Sequence, residues 1–255
     1  MTIKEIKDPL IHYLLHLGDN ALILGHRNSE WCGHGPILEQ DIALTNIALD
    51  QVGQARNFYQ YAAILINEIN GDSITEDSLA YLRDAWDYKN CLMAELPNGD
   101  WGQTILKQFI ASAFQYYLYQ ELEKNSNQQL AAIASKSLKE LTYHLRWSTD
   151  WVLRLGDGTE ESKKRMQEAI QAVWPYTNEW VDFSDYELEF LNGNQNEIKN
   201  NWEERIFKVF VEAGLKEPSD IWMQKGGKQG IHTEHLGYIL SEMQFLQRAY
   251  PGAEW

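Results

Sequence analysis

The stretch LEQDIALTNIALDQVGQARNFYQYAAILI, residues 38–66, decides the fold of this chain. It contains no proline, and apolar residues recur every three or four positions, the spacing of one stripe along a helix. The stripe comprises Leu38, Ile42, Thr45, Leu49, Val52, Tyr59, Ala62 and Ile66. At 1.5 Å per residue the predicted helix is about 45 Å long, enough to span a whole domain.

A second stripe of the same helix is also largely apolar, and it comprises Leu44, Ala48, Gln51, Ala55 and Phe58. Two apolar stripes predict a central helix that is covered on more than one side. The middle of the helix, Asp50-Gln51-Val52-Gly53-Gln54, is nevertheless polar. Polar groups inside a segment that should be buried suggest a functional or formerly functional position.

Length, charge and cysteine content narrow the class of protein. The 255 residues, 44% of them hydrophobic, suffice for one large domain. A formal net charge of −15 argues against nucleic acid and against anionic membrane surfaces, since both require a positive face. Neither a signal sequence nor a run of 18 apolar residues is present, so we expect a cytoplasmic protein. Cys32 and Cys91 are the two cysteines of the sequence and neither lies in a CxxC pair, which argues against a disulfide framework and a thiolate metal site and predicts buried free thiols.

The remaining sequence predicts further helices and no long strand, so the expected fold is an all-α bundle. The first helix begins at Asp8-Pro9 and ends near Gly25. Further helices are expected over residues 79–92, 103–124, 130–155, 162–174, 202–213 and 233–250. Gly156 is expected to end its helix in the left-handed conformation, and the polar residues 192–201 suggest a hinge or an insertion. We predict one domain over residues 1–255, with a core bundle over about 1–160 and additional helices over about 161–255.

Four long helices with polar central residues invite a comparison with di-iron carboxylate bundles. Those sites use Glu from two helices and Glu-x-x-His from two others, because positions i and i+3 share one helix face. Here Leu141 stands three residues before His144, while Glu140 is one position out of register. In the central helix the corresponding pair is Gln51 and Gln54, and residues 103–120 contain no carboxylate. His144 alone therefore survives as a candidate ligand, and a core histidine is the simpler interpretation of it.

Five strings then resemble the family of C (structural) subunits of bacterial ring-1,2-phenylacetyl-CoA epoxidases. They are GDNALILGHRNSEWCGHGP, LEQDIALTNIALDQVGQARNF, ELPNGDW, KELTYHLRWSTDWVLRLGDGT and GGKQGIHTEHLGYILSEMQFLQR. The resemblance covers nearly the whole chain and is weakest over residues 178–219. It implies a ferritin-like four-helix bundle core with flanking helices. It also implies a paralogue of the catalytic A subunit, which carries DE-x-x-H and EE-x-x-H at the positions of residues 50–54 and 140–144.

The resemblance also implies the setting in which the chain works. The family's C subunit pairs with the di-iron A subunit, and a reductase subunit with FAD and an iron–sulfur cluster supplies electrons from NADPH. The complex inserts one oxygen atom of O₂ across a ring bond of phenylacetyl-CoA in phenylacetate catabolism. We therefore expect a heteromeric subunit without a metal or active site of its own.

Two short segments are weaker candidates for ligand contact. We expect Asp87, Tyr88, Lys89 and Asn90 to border coenzyme A at the subunit interface, although an exposed helix end explains them equally well. The glycine-rich segment at Lys225 and Lys228 is a candidate anion loop before the last helix, although it also fits a plain helix lead-in. His232, Glu234 and His235 lie too close to that helix start for a Glu-x-x-His site, so structural hydrogen bonding is expected.

Two other functions remain open at this point. One is a self-sufficient di-iron or di-manganese oxidase with unusual ligands, which the shortage of carboxylates disfavours. The other is a metal-free homo-oligomeric binding protein.

Overall fold

The computed structural model describes residues 6–71, 73–219 and 221–253. Eleven α-helices and no strand occur in these ranges, which confirms the all-α prediction. The helices are α1 (Pro9–Ser29), α2 (Leu38–Asn70), α3 (Glu76–Tyr81), α4 (Leu92–Glu95), α5 (Trp101–Leu122), α6 (Gln128–Gly156), α7 (Glu160–Val173), α8 (Asp185–Leu188), α9 (Gln195–Glu212), α10 (Glu234–Met243) and α11 (Phe245–Ala249). Short 3₁₀ turns cover Ala85–Asp87, Trp174–Tyr176, Asn178–Trp180 and Gly227–Gln229. No helix within these ranges is long and apolar enough to cross a bilayer.

The chain forms two compact units. Unit 1 consists of the residues up to Pro97 together with those from Gly226 onward, and unit 2 consists of Asn98–Lys225. The division therefore lies at residues 97/98 and 225/226, whereas the sequence suggests a change of role near residue 160.

Unit 1 is built on the antiparallel pair of α1 and α2. Asp8 caps α1 by accepting a hydrogen bond from Leu10 N at 2.8 Å, and Pro9 occupies the first turn as predicted. Gly18 lies against the ring of Tyr59, and Gly25 lies against α2 near Ala48. The later residue of α1 therefore contacts the earlier residue of α2, so the two helices run antiparallel.

Unit 2 is built on the antiparallel pair of α5 and α6. Asp100 caps α5 by accepting from Gln103 N at 2.9 Å. The ring of Trp101 meets Trp147 and Trp151 edge-on, with centroids 6.0 and 5.5 Å away. Helices α7 and α9 pack on α5 as well.

Three local predictions in unit 2 need correction or refinement. Gly156 is the last residue of α6, and its φ angle is not positive. A glycine is needed there because Ala213 packs closely against the backbone, and a Cβ at position 156 would stand 2.7 Å from the Cβ of Ala213. The polar segment 192–201 contains a short turn with positive φ at Asn192 and Gly193. Residues 195–201 of that segment belong to α9, which begins seven residues earlier than predicted.

Two predicted helices of unit 1 are broken in the structure. The sequence predicts one helix over residues 79–92, but α3 ends at Tyr81 and residues 88–91 lie outside any helix. The predicted last helix over residues 233–250 divides at Gln244. The Gln244 amide donates to the carbonyl oxygens of Ala80 and Arg83 at 3.2 and 3.0 Å, so this side chain ties the break to the end of α3.

The polar middle of α2 shows which stripe faces inward. Gln51 and the other members of the second stripe are buried, as predicted. The first stripe is exposed over its N-terminal half, and the prediction that both stripes are covered is wrong for this chain alone. Helix α1 covers one side of α2 there. Both cysteines are free, but only Cys91 is buried, and Cys32 is exposed.

Candidate functional site

Two amide side chains, Gln51 and Gln54, stand in the middle of α2 at the positions where a di-iron carboxylate bundle would carry metal ligands. Gln51 and Gln54 are both buried. The Gln51 side-chain oxygen accepts a hydrogen bond from the Asn28 amide of α1 at 2.8 Å. Neutral amides bind hard or borderline cations poorly, and this oxygen already has a partner. Asp50, next to them, is half-buried.

The corresponding positions of α6 are equally unsuited to a metal. Leu141 is fully buried and apolar, and Glu140 is half-buried. His144 is buried, its ring lies edge-on to Tyr143 with centroids 6.3 Å apart, and its carbonyl oxygen accepts from Ser148 Oγ at 2.7 Å. In the described ranges no group of three or more His, Cys, Asp or Glu has a geometry that could hold a metal. The donors present do not fit a di-metal site.

A buried ion pair occupies the middle of unit 1 instead. Asp19 of α1 and Arg83, which follows α3, are 0% and 3% exposed, and the Arg83 guanidinium donates to the Asp19 carboxylate. Tyr59 of α2 also donates to Asp19, at 2.5 Å. Burial and the adjacent Asp19 carboxylate raise the pKa of Tyr59 well above 10, so the phenol stays a neutral donor. Burying the Asp19 carboxylate away from water is tolerated only because hydrogen bonds and the Arg83 charge compensate its lost hydration.

This cluster explains why residues 88–91 leave the helical conformation. The Asp19 carboxylate accepts from Lys89 N at 2.7 Å, and the Asn20 side-chain oxygen accepts from Cys91 N at 2.8 Å. Side chains of α1 therefore accept hydrogen bonds from two backbone N–H groups that would donate within the helix if it were continuous. His16 makes a third contact, because its Nδ1 lies 2.7 Å from the Lys89 carbonyl oxygen.

The predicted ligand-contact residues Asp87, Tyr88, Lys89 and Asn90 lie in this same segment. Tyr88 and Asn90 are fully buried. The Tyr88 hydroxyl donates to the Ala80 carbonyl at 2.5 Å, and its ring lies 4.2 Å from the Arg83 guanidinium carbon. Asp87 and Lys89 are half-buried and are the members of the set with exposed surface.

A second buried carboxylate, Glu95, joins both ends of unit 1. It accepts from Thr233 N and Oγ1 at 2.7 and 2.8 Å, from His232 Nδ1 at 2.8 Å and from the Asn90 amide at 2.9 Å. His232 Nε2 also lies 3.0 Å from the Tyr88 carbonyl oxygen. The structural role expected of His232 is confirmed, since both ring nitrogens hold the C-terminal segment to residues 88–95.

This arrangement predicts a pH-dependent contribution to stability. Burial alone would lower the pKa of His232, but the hydrogen bond and charge of Glu95 and the Tyr88 carbonyl raise it above its ordinary value of 6.5. A raised pKa in the folded state means that the contribution is complete below about pH 6.5 and is lost as pH rises through the folded pKa. We expect His232→Gln to reduce the free energy of unfolding more at about pH 6 than at about pH 9.

Urea titrations at the two pH values measure this difference. His235→Asn is the control, because that neighbouring side chain lies outside the Glu95 cluster. An equal effect of His232→Gln at both pH values would show that His232 acts without its proton.

The glycine-rich segment packs against the same residues. Lys225 is exposed, whereas Lys228 is only 2% exposed. A Cβ at Gly227 would collide with the carbonyl oxygen of Asn90, and one at Gly230 with that of Trp86. The glycines therefore serve close backbone packing. Of the two lysines of the predicted anion loop, Lys225 is the one open to a ligand.

An exposed apolar face extends along the N-terminal half of α2. Leu38, Ile42, Leu49 and Val52 are 71, 52, 65 and 40% exposed, and the spacing of four, seven and three residues places them on one side of the helix. Together with Thr45 we call them the α2 apolar face. Four large apolar side chains on one face are typical of an interaction surface.

Comparison with known proteins shows the family of this chain. The model of the family described as phenylacetic acid catabolic protein matches residues 1–255. The chain belongs to this family. It is also 45% identical, over 250 residues, to the C subunit of the 1,2-phenylacetyl-CoA epoxidase of Escherichia coli (strain K12). The alignment covers 96% of this chain and 99% of that protein. The resemblance drawn from the five sequence strings is confirmed.

Several features of this member of the phenylacetic acid catabolic family escape sequence reasoning. The sequence shows Asp19 only as an acid in an apolar helix, a position that in itself calls for a buried cationic partner. Nothing in the sequence points to Arg83 as that partner, because 64 residues separate the two. Glu95 and His232, 137 residues apart, are likewise not connected by any sequence pattern.

Proposed function

We propose that this chain is the non-catalytic structural subunit of a phenylacetyl-CoA epoxidase and that it binds and supports the di-iron catalytic A subunit. The α2 apolar face carries this proposal. A monomer that leaves four large apolar residues exposed on one helix gains free energy by covering them with another protein. The relative in E. coli is named as a subunit, which fits a chain that works inside a complex.

The chemistry of the bundle positions supports the non-catalytic part of the proposal. Gln51, Gln54 and Leu141 supply two amides and an alkyl group where a catalytic paralogue would supply carboxylates and imidazole. We therefore place the di-iron centre in the A subunit, and FAD, the iron–sulfur cluster and NADPH in the reductase. No observation favours the alternative of a self-sufficient di-iron or di-manganese oxidase.

The same proposal covers the finer points of fold and setting. We propose a ferritin-like bundle, because α1, α2, α5 and α6, of 21, 33, 22 and 29 residues, provide the four long helices that such a core requires. We also place the complex in the cytoplasm, where it would act on phenylacetyl-CoA. Contact between coenzyme A and residues 87–90 stays a prediction that rests on the half-buried Asp87 and Lys89. Anion binding by the glycine-rich segment likewise rests on Lys225.

Charged substitutions in the α2 apolar face test the proposal. We expect Leu38→Asp and Leu49→Asp each to weaken binding to the A subunit by about 30-fold or more, since burying an unpaired carboxylate at the centre of an interface costs at least about 2 kcal/mol. Co-purification and titration of the A subunit with each variant measure the loss.

Ile69→Asp is the matched control. Ile69 is 56% exposed on the same helix but lies near its C-terminal end, outside the α2 apolar face. All three side chains are exposed, so the isolated variants should unfold like the parent chain. Undiminished binding by both Leu variants would exclude this face as the contact surface.

A further inference from the structure

A cavity of about 360 Å³ lies between α5, α6 and α9, entirely within unit 2. Its volume lies in the range of small-molecule sites, which begins at roughly 300 Å³. Besides Leu145, its lining is polar or aromatic and comprises Tyr116, Thr142, Arg146, Thr149, Asp150 and Arg205. None of these residues belongs to the α2 apolar face or to the bundle positions described above.

The two arginines of this cavity have no carboxylate partner in the part of the chain that the structure describes. The Arg146 guanidinium lies against the ring of Tyr143, with 5.8 Å between the guanidinium carbon and the ring centroid. Arg205 donates a long hydrogen bond to the Tyr117 hydroxyl at 3.4 Å. A guanidinium carries five donors, so most of the hydrogen-bonding capacity of both side chains is not taken up by the described residues.

This situation is unusual in so acidic a chain. Five of the eight arginines in the sequence lie within 4.0 Å of a carboxylate of the described residues, namely Arg27, Arg56, Arg83, Arg165 and Arg248. With a formal net charge of −15 there is no shortage of acidic partners. Two arginines at one cavity without a carboxylate partner among the described residues therefore point to an anion from outside the chain.

The neighbouring hydroxyl groups suit an anion as well. Thr149 Oγ1 is shielded from solvent and has no hydrogen-bond partner among the described residues. Rotation about χ1 would let it donate to a ligand in the cavity, which would satisfy this group. Thr142 Oγ1 already donates to the Leu138 carbonyl at 2.8 Å, so Thr149 is the hydroxyl group that a ligand would engage.

One charge in the lining opposes an anion. Asp150 lies on the exposed side of α6, four residues after Arg146, yet the two are not within ion-pair distance in the structure. The charges of the lining therefore sum to one net positive charge, from two arginines and one aspartate. This balance favours binding through directed hydrogen bonds from the two guanidinium groups over long-range attraction.

We propose that this cavity binds the phosphate group of a small phosphorylated molecule. Arg146 and Arg205 hold the phosphate oxygens, because guanidinium groups match phosphate geometry with paired N–H donors. The cavity is larger than a phosphate ion alone requires, and the ring of Tyr116 offers a surface for the attached organic group. The lining residues are distinct from the α2 apolar face and include no proposed metal ligand.

Calorimetric titration of the purified full-length chain with AMP, adenosine and inorganic phosphate tests this assignment. We expect saturable binding of AMP, weaker binding of phosphate and no binding of adenosine. Arg146→Gln and Arg205→Gln should each weaken AMP binding at least about tenfold, since hydrogen bonds to charged groups are among the strongest in proteins.

Arg154→Gln is the matched control, because Arg154 lies on α6, contacts the ring of Trp151 and carries the same charge outside the cavity. AMP binding should be unchanged in this variant. Absence of saturable AMP binding, adenosine binding as tight as that of AMP, or an equal loss in Arg154→Gln would each overturn the proposal. Thermal unfolding of the three variants confirms that each is folded.

Discussion

Arg83→Met is expected to lower the free energy of unfolding by about 3–5 kcal/mol, the usual cost of leaving one member of a buried ion pair without its partner. Asp19 is 0% exposed and Arg83 3% exposed, so water cannot replace the lost guanidinium. Methionine keeps much of the volume of the arginine stem, which limits the cavity contribution. Urea unfolding followed by circular dichroism measures the change.

Two further variants separate the buried charge from simple loss of packing. Arg165→Met removes an arginine from the exposed pair with Glu161 and should leave the free energy of unfolding almost unchanged. Adding Asp19→Leu to Arg83→Met should recover part of the loss, because the unpaired carboxylate is then gone. Recovery stays incomplete, since Tyr59 and Lys89 N also lose their acceptor. A cost of Arg83→Met as small as that of Arg165→Met would contradict the role given to this pair.

Leu141→Glu is expected to be of similar severity, lowering the free energy of unfolding by on the order of 4 kcal/mol. Leu141 is fully buried in α6, and a carboxyl group there must either lose its charge or find a cation. In a metal-binding paralogue the metal provides that cation. Here we expect no compensation, even when Gln51→Glu and Gln54→His are added, because residues 103–120 supply no bridging carboxylate.

Chemical denaturation and iron and manganese analysis of the purified variants test this expectation together. Thr142→Glu is the control, because it introduces the same group at the next position of α6 on an exposed site. It should change stability by less than about 0.5 kcal/mol. Two equivalents of metal in the triple variant, with stability restored, would show that the bundle retains a usable metal site.

The long helices are predictable because their periodicity is a local property of the sequence. The conformation of segment 79–92 is not predictable in this way, because it depends on residues about seventy positions away. The side chains of Asp19 and Asn20 accept hydrogen bonds from the backbone N–H groups of Lys89 and Cys91. Periodicity also cannot decide which stripe of α2 faces inward. Both stripes are apolar, and only the position of α1 distinguishes them.

Some features of the candidate sites are likewise predictable from the sequence, and others are not. The replacement of metal ligands by Gln51, Gln54 and Leu141 can be read from spacing alone, because i and i+3 define a helix face. The burial of Tyr88, Asn90 and Lys228 cannot be read from spacing. It arises because the glycines at 227 and 230 let the segment 226–230 pack closely against residues 86–92. The pairing of Arg146 with Arg205 at one cavity requires α9 to be placed beside α6.

The contacts of Glu95 also have a consequence for synthesis, because their donors lie 137 and 138 residues further along the chain. The described residues of unit 2 form a compact unit, and this unit leaves the ribosome before residue 226 does. Until His232 and Thr233 emerge, the Glu95 carboxylate lacks three of its four donors. The contacts that Glu95 makes in unit 1 are therefore completed only after all of unit 2 has been synthesised.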